Sequence, residues 1–191
     1  MAENPVSAPD PHTADIAVCV YCASRPVAQQ YLDLADAVGA GIAERGWTLV
    51  SGGGRVSMMG EVARGARRGG ARTVGVMPRA LVDLEVADTE ADELLVVDNM
   101  RERKGLMDAH AQAFLALPGG IGTCEELFEV WTSRYIGMHD KPVVLLDPDG
   151  YYKGLLEWID DMVQHGFASQ RSVDAITVVR DVESALDACV Q

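Results

Sequence analysis

Two glycine clusters, each set between a short apolar run and a helical stretch, constrain this chain more than any other feature. The first is Ser51-Gly52-Gly53-Gly54, which follows the apolar run 47–50 and precedes a small-residue helical stretch at 57–68. The second is Pro118-Gly119-Gly120-Ile121-Gly122-Thr123, which follows the run 113–117 and precedes a helical stretch at 123–135. The same alternation runs through the rest of the chain. Apolar runs at 16–21, 73–77, 93–97, 142–146 and 175–179 read as strands, and helices are expected at 28–45, 101–110, 152–165 and 182–190. In the first of these helices Tyr31, Leu34, Ala35, Val38 and Ile42 recur at three- and four-residue spacing and so share a face. Gly46 stands where a left-handed residue ends a helix. The acidic segment after Pro78 reads as loop.

Short Val-, Leu- and Ile-rich strands that each lead into a helix form a parallel sheet covered on both faces. The expectation is a doubly wound, Rossmann-like α/β fold, mostly parallel, with helices on both faces. Prolines, acids and small residues over 1–13 predict a disordered tail without the apolar segment of a signal peptide. The remainder, 14–191, is expected to be a single domain.

In such folds ligands bind beyond the carboxyl ends of the strands, where both glycine clusters fall. Glycines there let the backbone approach a ligand closely and turn free N–H groups toward it, and the following helix adds about half a positive charge at its N-terminus. A phosphate is the natural guest. Neither cluster is a dinucleotide fingerprint, and no nucleoside-triphosphate loop ending in Gly-Lys-Ser/Thr is present. Thr123 is placed to cap its helix or to donate to a phosphate oxygen, and Glu125 and Glu126 are expected in the first turn.

Charge narrows the partners. A formal net charge of −13 over 191 residues repels polyanions, which argues against general binding to nucleic acid or an anionic membrane. No apolar stretch reaches the roughly 18–20 residues of a membrane span, and a cytoplasmic location is expected. Any bound phosphate must then be held by a local concentration of donors. Met100-Arg101-Glu102-Arg103-Lys104 supplies one: three cations at a helix start oppose the dipole and call for an anion or a carboxylate nearby. Cys19 and Cys22 have CxxC spacing but lie on a strand, where residues three apart face opposite ways. With no second ligand pair visible, reduced core thiols and no metal are expected.

Taken together these residues resemble the LONELY GUY (LOG) family of cytokinin-activating phosphoribohydrolases, whose members have also carried a lysine decarboxylase label. The likeness spans about 16–169. It is carried by Pro118-Gly119-Gly120-Ile121-Gly122-Thr123-Cys124-Glu125-Glu126, which fits the signature PGGxGTxxE, and by Arg103-Lys104 upstream. Gly137-Met138-His139-Asp140-Lys141-Pro142 and Gly150-Tyr151-Tyr152 add to it. The resemblance implies a nucleotide-binding domain that hydrolyses the N-glycosidic bond of N6-substituted adenosine 5′-monophosphates, or AMP, without a cofactor. It implies Arg103 and Glu126 as the catalytic pair. Ser24, Gly53, Glu85, Lys104, Gly119, Gly120, Gly122, Thr123 and Thr132 would bind the nucleotide, and the protein would be a homodimer. His139 reads as a structural hydrogen-bonding residue. The chain departs from the family pattern at Ala23, Ser51, Ser57, Arg101 and Ser133, which bears on base preference.

Two other readings stand beside this one. Proteins that carry molybdenum cofactor resemble this fold and its glycine loops, and would bind a phosphorylated pterin without turnover. A lysine decarboxylase would need a Schiff-base lysine for pyridoxal phosphate, and neither Lys104 nor Lys141 fits that role.

Overall fold

The computed structural model describes residues 16–82 and 86–191. The tail expected over 1–13, and Glu85, lie outside the described residues. Among those described, seven strands form one sheet: β1 (Ala17–Tyr21), β2 (Thr48–Ser51), β3 (Thr73–Pro78), β4 (Glu93–Val97), β5 (Ala113–Ala116), β6 (Val143–Leu146) and β7 (Thr177–Val179). Every strand pairing is parallel, in the order β4-β3-β2-β1-β5-β6-β7. The helices are α1 (Gln29–Glu44), α2 (Ser57–Arg68), α3 (Arg79–Val82), α4 (Met100–His110), α5 (Ile121–Tyr135), α6 (Lys153–Gln164), α7 (Gln170–Val173) and α8 (Val182–Ala188).

The period-two alternation of β1 divides the core. Val18, Val20 and Cys22 face one layer, which holds Val38 and Ile42 of α1, Met58 and Val62 of α2, and Leu186 of α8. Ala17, Cys19 and Tyr21 face the other, with Met107 of α4, Leu127 and Trp131 of α5, and Ile159 of α6. Parallel strands require crossovers, and helices with one apolar stripe supply them while covering both faces. Cys19 and Cys22 therefore sit in opposite layers as unpaired thiols, and burial raises both well above the ordinary thiol range.

The strand order fixes where a ligand can enter. From β1 the chain winds outward through β2, β3 and β4, then returns to lay β5 on the other flank of β1. The loops leaving β1 and β5 diverge to opposite faces, and a crevice opens at their carboxyl ends.

Several boundaries differ from expectation. α5 begins at Ile121, with Gly120 as its N-cap at φ −90° and ψ −160°. Thr123 is therefore not the cap, and Glu125 and Glu126 stand in the second turn rather than the first. Extended backbone at Gly120 suffices to start the helix, so no side-chain cap is needed. The acidic segment after Pro78 opens with the short helix α3. α7 is held by a reciprocal Ser169–Ser172 capping box. Gly46 does follow α1 with φ +67°.

Candidate active site

A cavity of about 820 Å³ occupies the crevice. Its wall is made by segments that follow four strands: Cys22, Ser24 and Arg25 after β1, Gly52 and Gly54 after β2, Met77 and Leu81 at the end of β3 and in α3, and 118–123 after β5. Arg103 of α4 and Glu126 of α5 complete it. Residues as far apart in sequence as Cys22 and Glu126 thus meet because every strand points its carboxyl end the same way.

Arg103 is held from three directions. Asn99 caps α4 by accepting the Glu102 N–H at 2.9 Å, which fixes the first turn. The Arg103 Nε then donates to the Val76 carbonyl at 3.1 Å and Nη2 to the Gly52 carbonyl at 3.4 Å, while Nη1 lies 3.4 Å from Glu126 Oε1. Gly52 is required here for space, because a Cβ on it would fall on the guanidinium. The two side chains are only 11% and 12% exposed.

Glu126 is nonetheless not neutralised. Its separation from Arg103 is long for a charge-assisted hydrogen bond, and it accepts no hydrogen bond from a described residue. Burial pushes its carboxyl above the ordinary glutamate range, and the attraction of Arg103 only partly offsets this. The carboxylate therefore keeps lone pairs for a water or a cationic centre in the cavity.

The second glycine loop faces this pair. The N–H groups of Gly120, Ile121, Gly122 and Thr123 form no hydrogen bond to a described residue, as expected for the first turn of a helix. They line the cavity beside Ser24 and offer a cluster of donors to an anion. Thr123 is buried with its side chain packed on Gly119, where any Cβ would collide with it.

Of the residues singled out in the sequence, Arg103, Glu126, Ser24, Gly119, Gly120, Gly122 and Thr123 come together on one cavity. Gly53, Lys104 and Thr132 do not line it. Gly53, at φ +71°, lies against the backbone of β3 and accepts the Asp88 N–H at 2.7 Å, so Gly52 and Gly54 take the cavity wall. Lys104 is one residue beyond Arg103, about 100° round the helix, and it pairs with Glu125 and Glu129 of α5. Thr132 is six residues past Glu126 and so about 240° round; it lies in a shallow apolar groove with Phe128, Trp131 and Ile159. His139 takes the structural role expected of it: Nε2 is 3.1 Å from the Val130 carbonyl and the ring tilts on Phe114. Gly52, Arg25 and Tyr151 also line the cavity. The sequence offered each only as part of a segment, in the first glycine cluster, beside Ser24 and in Gly150-Tyr151-Tyr152, and a segment does not say which of its residues turns toward a ligand.

The comparisons with known proteins bear on this geometry. A family model described as possible lysine decarboxylase matches residues 59–189. A Mycobacterium tuberculosis protein named cytokinin riboside 5′-monophosphate phosphoribohydrolase is 51% identical over 177 residues, covering 93% of this chain and 95% of that one. The chain belongs to this family, the LONELY GUY (LOG) family. Among other LOG relatives, a rice protein named cytokinin riboside 5′-monophosphate phosphoribohydrolase LOG is 44% identical over 154 residues, 80% of this chain and 64% of that one. The LOG fold also matches a solved structure of the molybdenum cofactor carrier protein from Chlamydomonas reinhardtii, with a TM-score of 0.69 and 24% identity over 92% of this chain and 96% of that one. At that identity the likeness is one of fold alone.

Proposed function

We propose that this LOG-family chain hydrolyses the N-glycosidic bond of purine nucleoside 5′-monophosphates, releasing the free base and ribose 5-phosphate. The observation that carries the proposal is the buried Arg103–Glu126 pair, 3.4 Å apart, on the same cavity as the amides of 120–123, which have no hydrogen-bond partner among the described residues. The names of its LOG relatives support the same reaction. Met58, Met59, Met77, Leu81 and Val86 form an apolar flank of the cavity, suited to a purine and to an apolar N6 substituent. N6-substituted adenosine monophosphates are the proposed substrates, with AMP the simpler alternative.

Cleavage of a ribosyl bond passes through an oxocarbenium-like transition state, with positive charge at C1′ and O4′ and negative charge on the departing base. Glu126 aligns and deprotonates the attacking water and stabilises the cationic sugar. The raised affinity of its carboxyl for protons makes it a stronger base than an exposed glutamate. The water's hydroxide bonds to C1′, the C1′–N bond breaks, and the base leaves with its electron pair and takes up the proton that Glu126 drew from the water, which returns the carboxylate to its starting state. Arg103 orients Glu126 and stabilises the negative charge on the base, since a guanidinium is a poor proton donor. The loop amides, Ser24 and Thr123 hold the 5′-phosphate, and that remote binding fixes C1′ beside the carboxylate.

The deciding experiment compares kcat/KM for N6-isopentenyladenosine monophosphate, AMP and the corresponding nucleosides. Strong preference for the monophosphates, with base release, is the expected result; equal rates on nucleoside and nucleotide would refute the phosphate grip. Retention of a bound pterin with no turnover of any nucleotide would favour the carrier reading instead. No lysine lines the cavity among the described residues, and Lys104 and Lys141 are ion-paired, so nothing in the site favours a pyridoxal-phosphate decarboxylase.

The working unit is proposed to be a homodimer, supported by the exposed apolar residues Ile136, Met138 and Phe167 near the end of α5 and beyond α6. Light scattering on the purified protein tests this. No helix among the described residues is long and apolar enough to cross a membrane. The four unpaired thiols support a reducing, cytoplasmic location.

A further inference from the structure

Tyr151 lies just before α6, far in sequence from the glycine loop, yet it lines the cavity and its hydroxyl donates to the Gly119 carbonyl at 2.9 Å. The ring is about half exposed but sterically fixed. It stands edge-on to Tyr31, with centroids 6.2 Å apart, and to Tyr152, with centroids 4.9 Å apart. Tyr31 is itself anchored through its hydroxyl to Asp149 at 2.8 Å. Tyr152, which is buried, donates to the Leu117 carbonyl at 2.9 Å and receives support for its own N–H from the Asp147 carboxylate. Two neighbouring tyrosines thus hold two carbonyls of the same loop.

The two anchors differ in consequence. The Leu117 carbonyl belongs to the peptide before Pro118, which has no N–H to aim, and the Gly119 N–H that also faces the Tyr152 hydroxyl belongs to the Pro118–Gly119 peptide, not to the one that carries the Gly120 N–H. The Gly119 carbonyl belongs to the Gly119–Gly120 peptide, whose N–H has no partner among the described residues and lies at the cavity. In a trans peptide the carbonyl and the N–H point in opposite directions, so fixing one fixes the other. A Gly-Gly link has no side chain to resist rotation of that plane. The hydroxyl of Tyr151 is the restraint that the glycines lack.

We propose that Tyr151 is a positioning residue of the phosphate site: by holding the Gly119 carbonyl it sets the orientation of the Gly120 N–H before the ligand arrives. The inference rests on the reading of 118–123 as the phosphate cradle. It also explains why a half-exposed tyrosine makes a directed bond to a loop carbonyl that solvent would otherwise satisfy.

The test is Tyr151→Phe, which keeps the ring and its edge-on packing and removes only the hydroxyl. KM for a nucleoside monophosphate and Ki for ribose 5-phosphate and inorganic phosphate are measured against the wild type, together with kcat/KM for the unphosphorylated nucleoside. One lost neutral hydrogen bond should raise KM and both Ki values by roughly threefold to tenfold. kcat/KM should fall for the nucleoside monophosphate by more than it does for the nucleoside, which has no phosphate for the loop to hold, and the Tm should barely move. Tyr152→Phe serves as comparison; it should lower the Tm while leaving both Ki values near wild type. Unchanged Ki values in Tyr151→Phe overturn the proposal, as does an equal loss on nucleoside and nucleotide. Equal weakening by Tyr152→Phe overturns it too, since general loosening of the loop would then suffice. Should the wild type itself show no preference for a 5′-phosphate, the cradle reading fails and takes this inference with it.

Discussion

Replacing Glu126 by Gln separates what this carboxylate does for catalysis from what it costs the fold. Gln is isosteric, so the packing of a side chain only 12% exposed is kept and the charge alone is removed. A positioned base and electrostatic stabiliser contributes roughly 10²–10⁴-fold, so kcat should fall by that factor, about 3–5 kcal/mol of transition-state stabilisation. Nucleotide binding, carried by the loop amides, should change little. Stability should move the other way. The Glu126 carboxyl is raised, first by burial and against the pull of Arg103, so the folded state prefers it protonated. The stability this preference contributes is complete below the unfolded-state pKa of about 4.3 and is lost as pH rises through the folded-state value. At neutral pH the ionised carboxylate is therefore a burden that Gln lacks. Glu126→Gln should melt at a higher temperature than wild type at pH 7, and the gap should close as pH falls below about 4.3. Steady-state kinetics and thermal melts across pH 4–8 check both halves. Turnover within tenfold of wild type would refute the catalytic role, and a lower Tm at pH 7 would refute the desolvation argument.

Further outcomes follow from the same geometry. The acid limb of kcat/KM should lie above the ordinary glutamate range, because the raised carboxyl must ionise to act; a limb at or below that range in the pH profile would contradict it. Gly52→Ala puts a Cβ on the Arg103 guanidinium, so it should displace that side chain and lower kcat by at least about tenfold, the scale of a misplaced catalytic group, although the added methyl takes no part in the reaction; rate measurements on correctly folded variant decide it. Gly119→Ala brings a Cβ within 2.7 Å of Thr123 Cγ2 and should cost about 1–3 kcal/mol in urea unfolding. Gly120→Ala meets nothing within 4 Å and should cost less than about 1 kcal/mol. Ser57 holds φ +51° at the start of α2 while its hydroxyl donates to the Arg25 carbonyl at 2.5 Å. Ser57→Ala keeps the left-handed backbone and loses the bond, so it should destabilise by about 1 kcal/mol. Ser57→Gly loses the bond but relieves about as much strain, and should be close to neutral.

The alternation of apolar runs and helical stripes made the layered sheet legible, because strand and helix periods are written locally along the chain. The signature around Glu126 and the Arg103 position were legible for the same reason: a contiguous motif keeps its spacing whatever the rest of the chain does. α3 and α7 are four residues each and were not visible, since one turn gives no period to read. Lys104, Gly53 and Thr132 were expected at the cavity and lie off it. Sequence does not say which side of α4 faces the cavity; once packing turns Arg103 inward, 100° per residue carries Lys104 to the Glu125 and Glu129 side.

The amino-acid order alone thus determined the kinds of element, the two donor-rich turns and the identity of the charged pair. Only the packed structure decided that Arg103 and Glu126 meet at 3.4 Å, that burial outweighs their attraction at the carboxyl, and that Tyr151 reaches Gly119 from 32 residues away. Those are long-range quantities. They depend on how parallel strands bring their carboxyl ends to one edge and bury the pair there, and no local pattern encodes that.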